Sequence, residues 1–330
     1  MTSPIYLTGA DGFIGSFFRE KCNTLPICSI PRSVVCGGEN LRGLKKGSVL
    51  VHLAARVHVM KETAETPLDE FRKINTDLTF RIAKEAIQCG VRKFIFLSSV
   101  SVFGRLKGGF IADTLPPVPD DPYGLSKFEA EQGLSELFKN QTTSQCIILR
   151  SPMIYGPGNK GNMLPLLRAS SKRLQLPLGK TKGQRSLLYV ANLCAALVKI
   201  INDETLDRPA VQTYFLSDGQ DITSGELYSG IFREMHGKSG VFPVPEKVLR
   251  LAGKAGAVVE KTMGRSLPIN NRVLSRLFDE YRFSNQKFCA DYGWSPPYTV
   301  KEGIKDTVEW YLDRESLKSA VLSGKKEKES

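Results

Sequence analysis

The stretch DPYGLSKFEAE, residues 121–131, sets Tyr123 and Lys127 four positions apart directly behind Pro122. Residues at i and i+4 lie one above the other on a helix face. Proline suits the first turn of a helix, where its missing N–H would have no partner. A phenol beside an ammonium becomes a stronger acid and can give or take a proton near neutral pH. The plain alternative is an exposed helix start with a solvated lysine, and the pair alone does not choose between the two.

A second group able to do chemistry is YLTGADGFIG, which spaces Gly9, Gly12 and Gly15 as G-x-x-G-x-x-G between an apolar run and a helical pattern. In strand–turn–helix context this suits a phosphate-binding turn. The N–H groups of the helix start face an anion, and Gly15 lets the helix close on the strand. A turn without a ligand is the alternative. Units that take NAD carry an acid about 20 residues further on. Here the second apolar run ends in SIPRS, with Pro31 in that place and Arg32 and Ser33 after it. An acid would repel a 2′-phosphate, whereas a guanidinium would pair with it, so the chain leans to NADP, with NAD possible. A surface arginine in a variable loop is the competing reading of Arg32.

Elements must hold these groups in place. PIYLTG, ICSI, SVLVHLAA, VRKFIFLSSVS and SQCIILRS read as strands; FIGSFFREKC, PLDEFRKINTDLTFRIAKEAIQCG and DPYGLSKFEAEQGLSELFKN read as helices. Continuous apolar strands alternating with helices predict a parallel sheet covered on both faces, a doubly wound α/β domain of Rossmann type, over residues 1–150. From residue 151 the chain turns rich in Gly, Pro and Asn. We expect a smaller C-terminal substrate-binding lobe over 151–318, with RSLLYVANLCAALVKII and VQTYFLSDG able to rejoin the main sheet. The charged end, residues 319–330, predicts a disordered tail.

The 330 residues are 41% hydrophobic and 24% charged, an ordinary globular composition. No uncharged apolar run reaches about 18 residues, which argues against membrane insertion, and the first residues lack the basic and apolar parts of a signal peptide. Seven cysteines form no C-x-x-C pair and the three histidines do not join them at zinc spacing. His52 and His58 lack a third ligand, so no metal is expected. Reduced, apolar cysteines fit a cytoplasmic compartment. The net charge of +12 would suit nucleic acid, but the basic residues are scattered and no nucleic-acid motif is present. An anionic small substrate, or an anionic membrane surface nearby, suits it as well.

TGADGFIG, VHLAARVHV, INTD, FIFLSSVSVFG, DPYGLSKFEAE, IILRSPMIYGPG, RSLLYV and YGWSPPYTVKEGI together resemble the extended short-chain dehydrogenase/reductases, in the NAD-dependent epimerase/dehydratase family and its UDP-glucose 4-epimerase-like nucleotide-sugar branch. The resemblance spans nearly the whole chain. It implies that Tyr123 is the catalytic acid/base, that Lys127 holds the nicotinamide ribose and lowers the phenol's pKa, and that Ser99 bonds the sugar oxygen. Ser101 is expected on the same strand face as Ser99.

The resemblance also assigns contacts. It sets Gly9, Asp11, Gly12, Phe13, Ile14 and Gly15 against the dinucleotide, with Leu53, Ala54, Ala55, Asn75 and Pro152. Asn162 and Arg185 are expected to hold the nucleotide diphosphate, with Arg276, or its neighbour Arg272, as a second contact. It further implies a UDP-sugar substrate, a role in surface-polysaccharide precursor synthesis, and a homodimer through the helices near 68–89 and 122–140. Two departures stand out: Pro31–Arg32 replaces the acid of NAD-binding epimerases, and Met153 stands where some relatives have asparagine. Hydride movement at carbon 4 of a UDP-hexose is expected, as a 4-epimerase or an NADPH-consuming 4-keto-sugar reductase. A redox sensor or scaffold that binds a dinucleotide without turnover is the alternative; such proteins usually lose the tyrosine or the lysine.

Overall fold

A computed structural model of the chain describes residues 3–37, 41, 43–57, 66–104, 109–111, 115–159, 161, 163–205, 208–245, 247–251 and 280–326. The first half alternates strand and helix: β1 (Ile5–Thr8), α1 (Phe13–Lys21), β2 (Ile27–Ser29), α2 (Arg32–Gly37), β3 (Val49–His52), α3 (Pro67–Arg72), α4 (Leu78–Gln88), β4 (Lys93–Ser99), β5 (Phe110–Ile111), α5 (Pro122–Phe138) and β6 (Gln145–Ser151). The second half holds β7 (Met153–Tyr155), α6 (Met163–Ser171), β8 (Gln184–Arg185), β9 (Leu187–Tyr189), α7 (Val190–Asn202), β10 (Val211–Phe215), β11 (Ile222–Thr223), α8 (Ser224–His236), β12 (Arg282–Phe283), α9 (Gln286–Tyr292) and α10 (Val300–Lys326).

Six parallel strands form the main sheet in the order β10-β6-β4-β3-β1-β2. Side chains alternate across it. Ile5, Leu7, Val49, Val51, Ile95 and Ile147 face Phe17 and Phe18 of α1 and Leu193 and Leu197 of α7. Leu50, Phe94, Phe96, Cys146 and Ile148 face Ile82 and Ala86 of α4 and Ala130, Leu134 and Phe138 of α5. Burial on both faces is why these strands read as unbroken apolar runs.

Three local features differ from the sequence reading. The long helical stretch after residue 67 is not wound uniformly: a wide π-turn, Lys73–Asp77, separates α3 from α4. Its Asn75 side chain is engaged outside the helix, the sort of insertion that opens a turn. Of the two segments able to rejoin the sheet, only β10 does, parallel to β6; β9 pairs with β7 in a sheet of its own. Finally, α10 continues to Lys326, through most of the stretch marked as a tail. Lysine and glutamate are good helix formers, so charge alone does not end a helix already begun.

The helix carrying Tyr123 is locked to the sheet by a buried ion pair. Glu131 is 4% exposed; its carboxylate accepts from Ser98 Oγ at 2.6 Å and from the Arg150 guanidinium at 2.7–3.1 Å. Arg150 also lies 5.0 Å over the Phe103 ring. Removing one partner strands a buried charge, whereas removing both does not. Arg150→Met is therefore expected to lower the unfolding free energy by about 3–5 kcal/mol, and adding Glu131→Gln should recover most of it, as measured by denaturant titration.

Candidate active site

The turn after β1 brings three backbone segments together. Gly9 has φ +70°, and a Cβ there would stand 2.7 Å from Ala54 N and 2.8 Å from the Leu53 carbonyl carbon. A Cβ on Gly15 would meet Gly9 O at 2.3 Å. Because the obstructing atoms are main chain, no side-chain movement makes room. Helix α1 starts without a side-chain cap at Gly12 and without an acidic residue in its first turn. Its first N–H groups have no intrahelical acceptor, and they open at the C-terminal ends of β1 and β3, where the strand order reverses. This cradle fits the diphosphate of a dinucleotide.

Around it, Phe13 and Ile14 are half-buried, and the loop after β7 approaches so closely that a Cβ on Gly158 would lie 3.3 Å from the Phe13 ring. Asp11 points to solvent, within 3.6 Å of Arg19. Ala54 and Ala55 line the loop after β3, and Pro152 is buried between β6 and β7. Arg32 opens α2 beyond the end of β2, exposed.

The second cluster grows from α5. Asp121 caps the helix, its Oδ1 accepting from Gly124 N at 2.7 Å, with Pro122 in the first turn. Gly124 then lies directly on the turn after β4, since a Cβ there would be 2.3 Å from Ser101 O. That approach sets the Tyr123 hydroxyl in a hydrogen bond with Ser99. Gly124 was not picked out from the sequence, although a glycine between the tyrosine and the lysine was the available signal. Ser101 is not on the strand as expected. It sits in a 3₁₀ turn, Val100–Phe103, because Ser99 Oγ accepts from Ser101 N at 3.1 Å and ends β4 there. The two hydroxyls nevertheless meet at 3.1 Å.

Lys127 donates from Nζ to Leu97 O at 2.9 Å and lies 4.5 Å over the Phe96 ring. Burial pulls its ammonium down to about 7, against the opposing charge of Glu131. The Tyr123 phenol is pushed up to about 12, by burial first, with the Ser99 bond lowering it and Asp121 raising it. In this arrangement burial governs the phenol, and the Lys127 ammonium is turned to the Leu97 carbonyl.

Behind these groups lies a polar core that the sequence did not announce. Asn75, expected at the cofactor, accepts from Arg56 N at 2.9 Å and donates to Arg56 O and Ser126 Oγ, each at 3.0 Å. It ties the loop after β3 to α5. His52 is 1% exposed and lies between Thr8 Oγ1 at 2.7 Å and Thr79 Oγ1 at 3.0 Å. Among the substrate candidates, Arg185 is half-buried on β8, which pairs with β11 and is bridged to Tyr281. Tyr281 donates to Val100 O and Gly104 O at 2.8–2.9 Å, joining that lobe to the Ser99 turn. Asn162, Arg272 and Arg276 lie outside the described residues. Among the described residues no three His, Cys, Asp or Glu gather as for a metal ion, and no helix is long and apolar enough to cross a membrane.

A doubly wound sheet with a glycine cradle at its switch point and a Ser/Tyr/Lys set at the neighbouring strand end defines a short-chain dehydrogenase/reductase type of enzyme. Residues 38–211 match the NAD dependent epimerase/dehydratase family. The chain is 33% identical to the UDP-glucose 4-epimerase of Vibrio cholerae, over 94% of this chain and 96% of that one. The chain belongs to the NAD-dependent epimerase/dehydratase family. Solved structures share its fold. MoeE5 in complex with UDP-glucose and NAD has a TM-score of 0.69 and 21% identity, covering 96% of this chain and 100% of that chain. RMD from Pseudomonas aeruginosa complexed with NADPH has a TM-score of 0.70 and 18% identity, covering 94% and 99%.

Burial, with the Lys127 charge adding to it, drives the His52 pKa down from 6.5 to about 3. The folded chain thus keeps His52 neutral while the unfolded chain takes up a proton below about 6.5, so this contribution is lost as pH falls from 6.5 toward 3. Asp218, pushed up to about 6 by burial, has the opposite slope between its ordinary value and 6, so wild type and variant must be compared. Between pH 7 and pH 5, His52→Phe should lose less stability than wild type by ~2 kcal/mol, as read from urea unfolding at the two pH values.

Proposed function

We propose that the protein is a nucleotide-sugar enzyme that moves hydride at carbon 4 of a UDP-hexose, with 4-epimerisation as the leading reading. The observation that carries it is the Tyr123–Ser99 hydrogen bond, formed with Lys127 on the same helix beside a dinucleotide cradle. The kinship with a UDP-glucose 4-epimerase over almost the full chain supports the substrate class.

In this reading Gly9, Gly12 and Gly15 admit the diphosphate, and the loop of Leu53, Ala54 and Ala55 flanks it. A bound nicotinamide dinucleotide supplies the group that accepts and returns hydride. Tyr123 takes the proton from the sugar hydroxyl at carbon 4 and gives it back. Ser99 bonds the same oxygen and holds the phenol in line. Lys127 would hold the ribose of a bound dinucleotide, and its charge would stabilise the phenolate. Arg185, on the lobe that Tyr281 ties to the Ser99 turn, pairs with the UDP diphosphate. Return of hydride to the other face of a 4-keto sugar gives the epimer.

A second reading, the 4-keto-sugar reductase, is favoured by Pro31–Arg32, where Arg32 stands exposed at the start of α2 and suits a 2′-phosphate. Incubation with UDP-hexoses distinguishes the two. An epimerase interconverts them without net consumption of added dinucleotide, whereas a reductase oxidises NADPH only when a 4-keto sugar is supplied.

Tyr123→Phe is expected to reduce kcat by ~10²–10⁴-fold while leaving dinucleotide and UDP-sugar affinity nearly unchanged; undiminished turnover would remove the acid/base assignment. Arg32→Asp is expected to shift preference from NADP toward NAD by roughly tenfold, less at high salt because the site is exposed. Calorimetric titration with both dinucleotides reads this directly, and wild-type protein that holds NAD as tightly as NADP would make Arg32 a loop residue only.

A further inference from the structure

Strand register puts Thr8 and His52 opposite each other, and His52 opposite Phe96, on one face of the sheet. The His52 ring lies stacked 6.0 Å from Phe96 at an interplanar angle of 18°. Thr79 Oγ1 donates to Asn75 O at 2.8 Å, so it can only accept from the imidazole, which fixes the proton on Nε2. Nδ1 is then an acceptor, and Thr8 Oγ1 must donate to it. Thr8 Oγ1 in turn accepts from Ala54 N at 3.3 Å. The result is one chain of hydrogen bonds with a single direction: Ala54 N–H to Thr8, Thr8 to His52, His52 to Thr79, Thr79 to Asn75 O.

The two ends of that chain are the two halves of the site. Ala54 is the residue whose main chain closes on Gly9 so tightly that a Cβ there would lie 2.7 Å from its nitrogen. Asn75 is the residue that holds Ser126, whose Oγ donates to Tyr123 O at 2.8 Å. We propose that His52 is a positioning residue whose two ring nitrogens fix the dinucleotide cradle relative to the helix carrying Tyr123 and Lys127. It touches neither reacting group. It rests on the reading that the glycine turn holds a dinucleotide, and it adds an assignment for a buried histidine that the proposed chemistry does not use.

A ring that merely filled space would be replaceable by phenylalanine, which keeps the packing on Phe94 and Phe96 and deletes both bonds. Three measurements test the role. In wild-type protein, nitrogen-15 NMR of the three histidines should show one ring in the neutral Nε2–H form that does not titrate between pH 5 and 8; finding none overturns the proposal whatever the variants do. In His52→Phe, the dinucleotide dissociation constant should rise on the order of tenfold, and kcat should fall by a similar factor at saturating dinucleotide and sugar nucleotide. Thr79→Val, which deletes the two links beyond His52 and leaves the Thr8 side intact, should lower kcat with less effect on dinucleotide affinity. Variants that keep wild-type affinity and kcat and lose only thermal stability would make His52 a packing residue and overturn the inference alone. Wild-type protein that binds no NAD or NADP would overturn the dinucleotide reading, and this inference with it.

Discussion

Between the ends of β1 and β3 the main chain of Gly9 runs against Leu53 and Ala54, so close that a single methyl group would collide with the Ala54 nitrogen at 2.7 Å. Most of the site follows from that contact. It lets the turn fold back far enough for α1 to begin over the sheet edge. It also brings the loop after β3 within reach of Thr8, so that strand, loop and helix start share one concave surface. An L-residue at Gly9 would be refused twice, by its positive φ and by the neighbouring backbone.

Helix α5, which carries Tyr123 and Lys127, is placed by a different kind of force. Gly124 settles on Ser101, Asn75 grips Ser126, and Glu131 holds Ser98 and Arg150, so α5 is fixed at three points along its length. All three lie in a dry environment. The same dryness lifts the Tyr123 phenol and lowers the Lys127 ammonium. Burial thus keeps the phenol protonated and loosens the ammonium's hold on its proton, and a charged ligand changes that balance more than it could in water.

Much of this was legible in sequence because it depends on local rules. Apolar runs announced a two-sided parallel sheet, glycine spacing announced the turn, and Tyr123, Lys127 and Ser99 sat in recognisable stretches. What was not legible depends on register. Nothing local tells that Thr8, His52 and Phe96 stand in one row, that Ser99 would cap a turn and pull Ser101 off the strand, or that Asn75 would face Arg56 and Ser126. Ser99 and Ser101 apart, those partners are 19 to 51 residues apart in sequence, and only the closed sheet brings them together. Nor could the lysine's orientation be read: a carbonyl at Leu97 competes for it, and no residue type encodes that.

The sixth strand of the sheet, β10, belongs to the second half of the chain and pairs with β6. A nascent chain that has emerged only as far as Ser151 therefore has five strands of the main sheet and an open edge at Gln145–Ser151, largely apolar on both faces. Such an edge is an invitation to another chain. Until Val211–Phe215 has left the ribosome that edge lacks its native partner strand, and a chaperone that shelters β6 would act in that interval.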